Sequence, residues 1–384
     1  MLQPNNYAEW RNKELKSWKK TLYLVFALVM TLSLCACNET NSNADTSAPA
    51  ATGAEQAGDA DTTDSADAAQ PESEESYVLN FSANDAADST YDELLIQILQ
   101  QKLQEKSNGR LTLEVYYSSS LAKQGECLSG IRDGTVDMGV DIPVMYPGEF
   151  PYTELYGTPG INLGNPEEMT YTLQEYMKKF PETGMQDFKI ICRFSSGTFG
   201  LLSADKPVTQ VSDMKGLSIR ASSNLMPWYE VMGASATFIP MGDLYESLKL
   251  SVIEGAHTTV GGTYAFGLQE VTNYFTPLTM CNGDQIIVMS KDLYDAMPAD
   301  LQAVIDEVSS EMVDVAISYV FTTEEETMTN IFDSNPEFEF LEIEDTQGFI
   351  DAALPTLEAK AQELDEAGLD GSGALEWLLN HTVS

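Results

Sequence analysis

Positive charge is what this chain has least of. Its 384 residues hold 20 Lys and Arg against 60 Asp and Glu, for a formal net charge of −40 and an isoelectric point near 4.1. A field of that sign repels nucleic acid and anionic lipid surfaces, so neither is an expected partner. An anionic ligand would need a local positive site inside a negative body. Histidine is almost missing: only His257 and His381 occur, and nothing near either supports a Ser-His-Asp triad or a zinc site. There is no G-x-S-x-G nucleophile elbow and no CxxC. Cys127, Cys192 and Cys281 lie in the main body without metal-like spacing, allow at most one disulfide, and read most simply as small buried residues. No catalytic residue, metal or cofactor is expected, and a surface hydrolase has no support.

Long apolar runs are also lacking. The one run of note, Leu22 to Leu34, is short for a bilayer span. Lys13, Lys16, Lys19 and Lys20 precede it and Leu34-Cys35-Ala36-Cys37 closes it, the pattern of a lipoprotein-type secretory signal. The expected cut lies between Ala36 and Cys37. Residues 1–36 are then the signal peptide, Cys37 carries the lipid, and Cys35 is one more apolar signal residue. The product is then expected to be exported and held on the outer face of the cell membrane by its lipid alone, in the periplasm if an outer membrane is present, with plain secretion or an uncleaved anchor as the alternatives. From Asn38 to Ser76 there is no aromatic residue and no Lys or Arg, so this stretch cannot bury enough apolar surface to fold. Residues 37–76 are expected to be a disordered acidic tether reaching roughly 35 Å r.m.s..

Tyr77 to Ser384 leaves about 300 residues, enough for two lobes. Tyr77–Phe81 and Leu111–Tyr116 read as strands. Between them Tyr91–Lys106 carries Leu94, Leu95, Ile98, Leu99 and Leu103 at helical spacing. Strand, helix, strand predicts a parallel α/β sheet. An internal echo follows when Gly134 is laid on Ser251 and Asp137 on Glu254, each a helix end feeding a short strand, which suggests two similar lobes. Pro298 to about Phe332 is the longest helical pattern, about 50 Å at 1.5 Å per residue, and would cross two lobes unless it breaks near Thr322 or Thr323.

The functional signal lies between Pro207 and Gly255. Ser212 is expected to cap a short turn closed by Gly216, and Leu217-Ser218-Ile219 to form a strand ending at Arg220. The carboxyl ends of strands are where open α/β sheets keep their ligand crevice, and an Arg there suits a bidentate clamp on a carboxylate, or else an ion pair with one of the many acids. Asp243-Leu244-Tyr245-Glu246 is expected to open the next helix with an acidic capping box.

This block, with Asp213-Met214-Lys215-Gly216, Gly233-Ala234, Tyr245, Val252-Ile253-Glu254-Gly255 and the earlier Gly134-Thr135-Val136-Asp137-Met138-Gly139, resembles the solute-binding subunits of TRAP (tripartite ATP-independent periplasmic) transporters, the dicarboxylate-binding-protein (DctP) family. The likeness covers about Tyr77 to Glu270. It implies a binding protein and not an enzyme: a two-lobed, periplasmic-binding-protein-like α/β clamshell with crossing hinge strands and a lobe-spanning helix. It would deliver a small organic acid to the integral-membrane permease subunits of an ion-driven transporter. The expected lobes are 77–198 with 288–320 and 199–287 with 321–384. A binding protein of an ATP-driven importer or a chemosensory receptor would share this shape.

By resemblance Arg220 is the main contact to the ligand carboxylate, and Asn84 matches a position that often contacts ligand. Departures bear on the substrate. Phe199, in Gly197-Thr198-Phe199, stands where the family often has a second Arg; the hinge motif's E-N falls on His257-Thr258; Met241 stands where an aromatic often lines the pocket. A second anionic group would then go unpaired in a closed cleft, so the expected ligand is a monocarboxylate. Phe199, Met241, Trp228 and Tyr264 are wall or core residues, and His257 is a donor to a ligand oxygen or a structural residue. The expected ligand-binding set is Arg220, Asn84, Phe199, Met241, His257 and Thr258.

Overall fold

The computed structural model describes residues 75–383. The signal peptide, Cys37 and the tether, apart from Glu75 and Ser76, lie outside them. Along the described residues run β1 (Tyr77–Ser82), β2 (Leu111–Tyr116), β3 (Met138–Asp141), β4 (Phe188–Ser195), β5 (Phe199–Ser203), β6 (Ser218–Arg220), β7 (Ser235–Thr237), β8 (Gly255–Thr259), β9 (Tyr274–Pro277), β10 (Asp284–Ser290) and β11 (Glu339–Phe340). They form two sheets, in the orders β2-β1-β3-β10-β4 and β11-β9-β5-β8-β6-β7.

The first sheet follows from its alternation. Leu79 and Phe81 of β1 point inward and pack on Leu95, Ile96, Leu99 and Leu103 of the crossover, which begins as a π-turn (Asp92–Ile96) and continues as the helix Gln97–Lys106. β1, β2 and β3 are mutually parallel, as the strand-helix-strand pattern predicts, whereas β10 runs antiparallel between β3 and β4. In the second sheet β6, β7, β8, β9 and β11 all run the same way, and β5, between β8 and β9, runs against them.

The internal echo is a structural repeat. Gly134 and Ser251 both adopt left-handed backbone, at φ 74° and 53°. Asn80 N–H donates to Asp137 Oδ2 at 2.9 Å and Asp137 N–H returns to Asn80 O at 3.1 Å; Ser218 N–H donates to Glu254 Oε2 at 2.9 Å and Glu254 N–H returns to Ser218 O at 2.7 Å. In each lobe an acid that opens one strand clasps the backbone of its parallel neighbour. Two residues further along these neighbours stand Ser82 and Arg220, so only the second lobe carries a cation at this point.

Three connections join the sheets. Residues 196–198 lead from β4 into β5, residues 278–283 lead from β9 into β10, and the helix Ala299–Ser334 runs unbroken through Thr322 and Thr323. At about 54 Å it is long enough to serve both lobes. Leu301, Ile305, Val308, Met312, Ala316 and Val320 pack into the first core, while Phe332 meets Phe340 of β11 at a ring separation of 5.6 Å.

The helix Thr346–Glu366 also divides its packing. Phe349 and Ala353 join Trp228, Tyr229 and Ile219 in the second core, whereas Leu357, Ala361 and Leu364, with Ala374 and Leu378, pack among Tyr152, Tyr156, Leu173 and Tyr176. Residues from Leu357 onward therefore lie with the helices Pro151–Tyr156 and Pro166–Lys179, which precede β4.

Two local expectations are corrected. Gln210, not Ser212, caps the turn Val211–Met214, because the Asp213 carboxylate returns to the Gln210 backbone and leaves Ser212 inside the turn. The Asp243 carboxylate does not cap its helix; the Asp243 carbonyl instead accepts from Ser247 Oγ. Cys127, Cys192 and Cys281 are free and buried in three separate clusters, and burial pushes each thiol well up.

Candidate functional site

Strand register defines where the lobes meet. Ser82 pairs with Tyr116 and Gly139, Asp141 with Ile286, and Asp284 with Ser195, so the carboxyl ends of β1, β2, β3 and β4 share one edge. In the second sheet Phe199 pairs with Thr259, Gly200 with Pro277, and Arg220 with Ala256 and Thr237, so the carboxyl ends of β6, β7, β8 and β9 share another. The connectors 196–198 and 278–283 run directly between these edges. The crevice predicted for open α/β sheets thus occurs twice, face to face.

Arg220 holds the second edge. Its Nε donates to Ile239 O and its Nη1 to His257 O, both at 2.9 Å, so the guanidinium reaches from β6 over the ends of β7 and β8. It is partly buried, and desolvation lowers its pKa. Of the four arginines at described positions, Arg110 pairs with Asp300, Arg132 with Glu149 and Asp187, and Arg193 with Asp284. Arg220 has no carboxylate partner among the described residues. Main-chain carbonyls can orient a guanidinium but cannot neutralise it, and its remaining N–H groups stay available for an anion.

His257 supports this arrangement from beneath. Its ring is 3% exposed, bonds Tyr229 Oη through Nδ1 at 2.7 Å, and stacks on Phe199 at 5.6 Å and 19°. Burial, with Arg220 nearby, pushes its pKa down to about 3, so the imidazole is neutral at physiological pH. Phe199 fills the space between His257 and the second connector. A Cβ at Gly283 would lie 2.8 Å from Phe199 Cε2, which requires glycine there.

Thr258 and Met241 meet around Gly262. A Cβ at Gly262 would lie 2.5 Å from Thr258 Oγ1 and 3.5 Å from Met241 Cε. Asn84 is on the opposite edge, accepting from Ser119 Oγ at 3.3 Å. The structure therefore groups Arg220, His257 and Phe199, sets Thr258 and Met241 beside Gly262, and leaves Asn84 on the facing lobe. Trp228 is core: fully buried, it donates Nε1 to Phe349 O at 3.0 Å. Tyr264 is 40% exposed.

Sequence reasoning missed four participants. Tyr229 anchors His257, and Phe238 lies with its ring centroid 6.0 Å from Arg220 Cζ. Thr198, in the first connector, donates its N–H and hydroxyl to Glu324 of the long helix, whose carboxyl is pushed up to about 7 by burial against the opposing pull of those bonds. None of the four carries a pattern signal, because each matters through a neighbour distant in sequence.

Among the described residues no group of His, Cys, Asp and Glu is placed to hold a metal ion, and no helix is long and apolar enough to cross a membrane. A solute-binding protein of Albidiferax ferrireducens is 26% identical over 234 residues, 58% of this chain and 67% of that protein. Among solved structures, a TRAP periplasmic solute-binding protein of Desulfovibrio salexigens superposes with a TM-score of 0.72 at 21% identity. That match covers 79% of this chain and 95% of that one, whose binding site holds the C-terminus of a symmetry mate. A TRAP solute-binding protein of Rhodoferax ferrireducens in complex with copurified benzoate superposes with a TM-score of 0.68 at 20% identity, over 80% of this chain and 97% of that one. The sequence profile of the bacterial extracellular solute-binding proteins, family 7, matches residues 81–363. This chain belongs to that DctP family, the extracytoplasmic solute-binding subunits of TRAP transporters, which are binding proteins for small organic acids that work with membrane permeases and not enzymes.

Proposed function

We propose that this protein captures a small monocarboxylate in the crevice between its two sheets and delivers it to the permease subunits of a TRAP-type secondary transporter. The observation that carries the reading is the state of Arg220: a desolvated guanidinium, oriented by two carbonyls, without an ion-pair partner among the described residues of a protein bearing 60 acids. Leaving such a charge partly buried has a cost that a carboxylate ligand removes. Phe199 argues for a single carboxylate, since its ring occupies the connector position and offers no second cation. The two structural neighbours, one holding benzoate and the other the C-terminus of a symmetry mate, are consistent with carboxylate capture.

In this reading Asn84 contributes from the facing lobe, Thr258 and Met241 line the second lobe, and His257 acts through its carbonyl and its stack on Phe199. Lobe I is 77–198 with 288–320, joined by the segment from Leu357 onward; lobe II is 199–287 with 321 to the middle of the Thr346–Glu366 helix. Ligand shared between the lobes would hold them closed. Cys37 would tether the protein through a lipid, and metabolic labelling with a fatty acid, lost in Cys37→Ser, tests that part. A thermal-shift screen over organic acids tests the function. A true ligand at a hundredfold its dissociation constant stabilises by about 2.7 kcal/mol, and a response only to neutral or cationic solutes would oppose the reading.

A further inference from the structure

Phe238 is the residue the proposed function leaves unexplained. Thr237, the last residue of β7, pairs in register with Arg220, so Phe238 lies just beyond the sheet at the crevice edge. Phe238 is 57% exposed, an unusual state for a phenylalanine, and its ring centroid lies 6.0 Å from the Arg220 guanidinium carbon. The next residue pins it there: Ile239 O accepts from Arg220 Nε, so the backbone bearing Phe238 is tied to the guanidinium that its ring flanks. The other apolar candidates are otherwise engaged. Met241 Cε lies against Gly262, Phe199 is stacked on His257 and wedged at Gly283, and Trp228 is sealed in the core.

We propose that Phe238 is a specificity residue: when Arg220 takes a carboxylate, the Phe238 ring covers the body of the ligand, and this selects acids whose carboxylate sits on an aromatic ring. The inference rests on the reading of Arg220 as the carboxylate clamp. An aromatic ligand held by its carboxylate at Arg220 sits beside the Phe238 ring, where offset or edge contacts favour it over an aliphatic body. The cation–π contact keeps the ring beside the guanidinium before ligand arrives, which limits the ordering cost of binding.

The test uses calorimetry on the full-length protein with benzoate, cyclohexanecarboxylate and propionate, comparing wild type with Phe238→Ala, Phe238→Tyr and Arg220→Ala. Expected for Phe238→Ala is a weakening of benzoate by about tenfold, a smaller loss for cyclohexanecarboxylate and little change for propionate. Phe238→Tyr should restore benzoate. Because the Phe238 ring is exposed, thermal unfolding of both Phe238 variants should match wild type. Unchanged benzoate affinity in Phe238→Ala, alongside a large loss in Arg220→Ala, overturns the inference and leaves the clamp standing. Wild-type binding of propionate without benzoate, or of neither, also overturns it. Retained affinity in Arg220→Ala overturns the clamp and the inference together.

Discussion

Replacing Glu324 by glutamine should change how the stability of this protein depends on pH. Glu324 projects from the lobe-spanning helix to the β4–β5 connector, where Thr198 donates both its N–H and its hydroxyl to the carboxylate. Burial raises the carboxyl pKa from 4.5 to about 7, although the two bonds pull the other way. A folded-state pKa above the unfolded value means that the native protein holds the proton more tightly. Stability linked to this group is therefore fully present below about pH 4.5, is lost as pH rises through about 7, and stays lost above it. A shift of about 2.5 units corresponds to about 3 kcal/mol at 1.36 kcal/mol per unit. In Glu324→Gln the amide oxygen can still accept the Thr198 N–H, and the amide nitrogen can donate to the Thr198 hydroxyl, without titrating. Urea unfolding of wild type and Glu324→Gln at pH 5 and pH 8 separates this effect from all other titrations, which cancel in the difference. The variant should gain up to about 3 kcal/mol on wild type between pH 5 and pH 8. An equal difference at the two pH values would refute a buried, titrating hinge carboxylate.

Phe199→Arg places a cation at the connector and should shift preference from monocarboxylates toward dicarboxylates, read as the ratio of propionate to succinate affinity. Gly283→Ala drives a Cβ to within 2.8 Å of Phe199 and should destabilise the fold by about 1–3 kcal/mol in urea melts, as overpacking does. Tyr229→Phe leaves His257 Nδ1 without its hydroxyl partner and should cost about 1–3 kcal/mol of stability. Because His257 is held neutral with a pKa of about 3, ligand affinity should show no step between pH 6 and pH 8 from this residue.

Much of the architecture was legible because it rests on periodicity. The apolar spacing from Leu301 to Val320 prescribes a long helix, and the paired Gly134/Ser251 and Asp137/Glu254 positions mark the repeat that the backbone then shows. Periodicity reports that a face is buried but not against what. Phe349 and Ala353, and further along the same helix Leu357, Ala361 and Leu364, enter two different clusters, although the sequence reading assigns 321–384 to one lobe. For the candidate site the sequence marks Arg220, which stands at a strand end, but not the features around it. Its lack of an acid partner among the described residues, its two carbonyl supports, the Tyr229 bond to His257 and the ring of Phe238 beside it are all set by contacts between elements far apart in the sequence. For Trp228, read as wall or core, the structure selects core: a Trp in an amphipathic turn looks identical in sequence whether it faces a pocket or a core.

The central claim is that Arg220 clamps the carboxylate of a captured acid. Calorimetric titration of Arg220→Ala with the acid identified by thermal shift tests it most directly. Loss of a hydrogen-bonded charge partner in a desolvated site costs about 2–5 kcal/mol, so affinity should fall by roughly thirtyfold to several thousandfold while the unfolding temperature without ligand stays near that of wild type. Wild-type affinity in a fully folded Arg220→Ala protein would contradict the account.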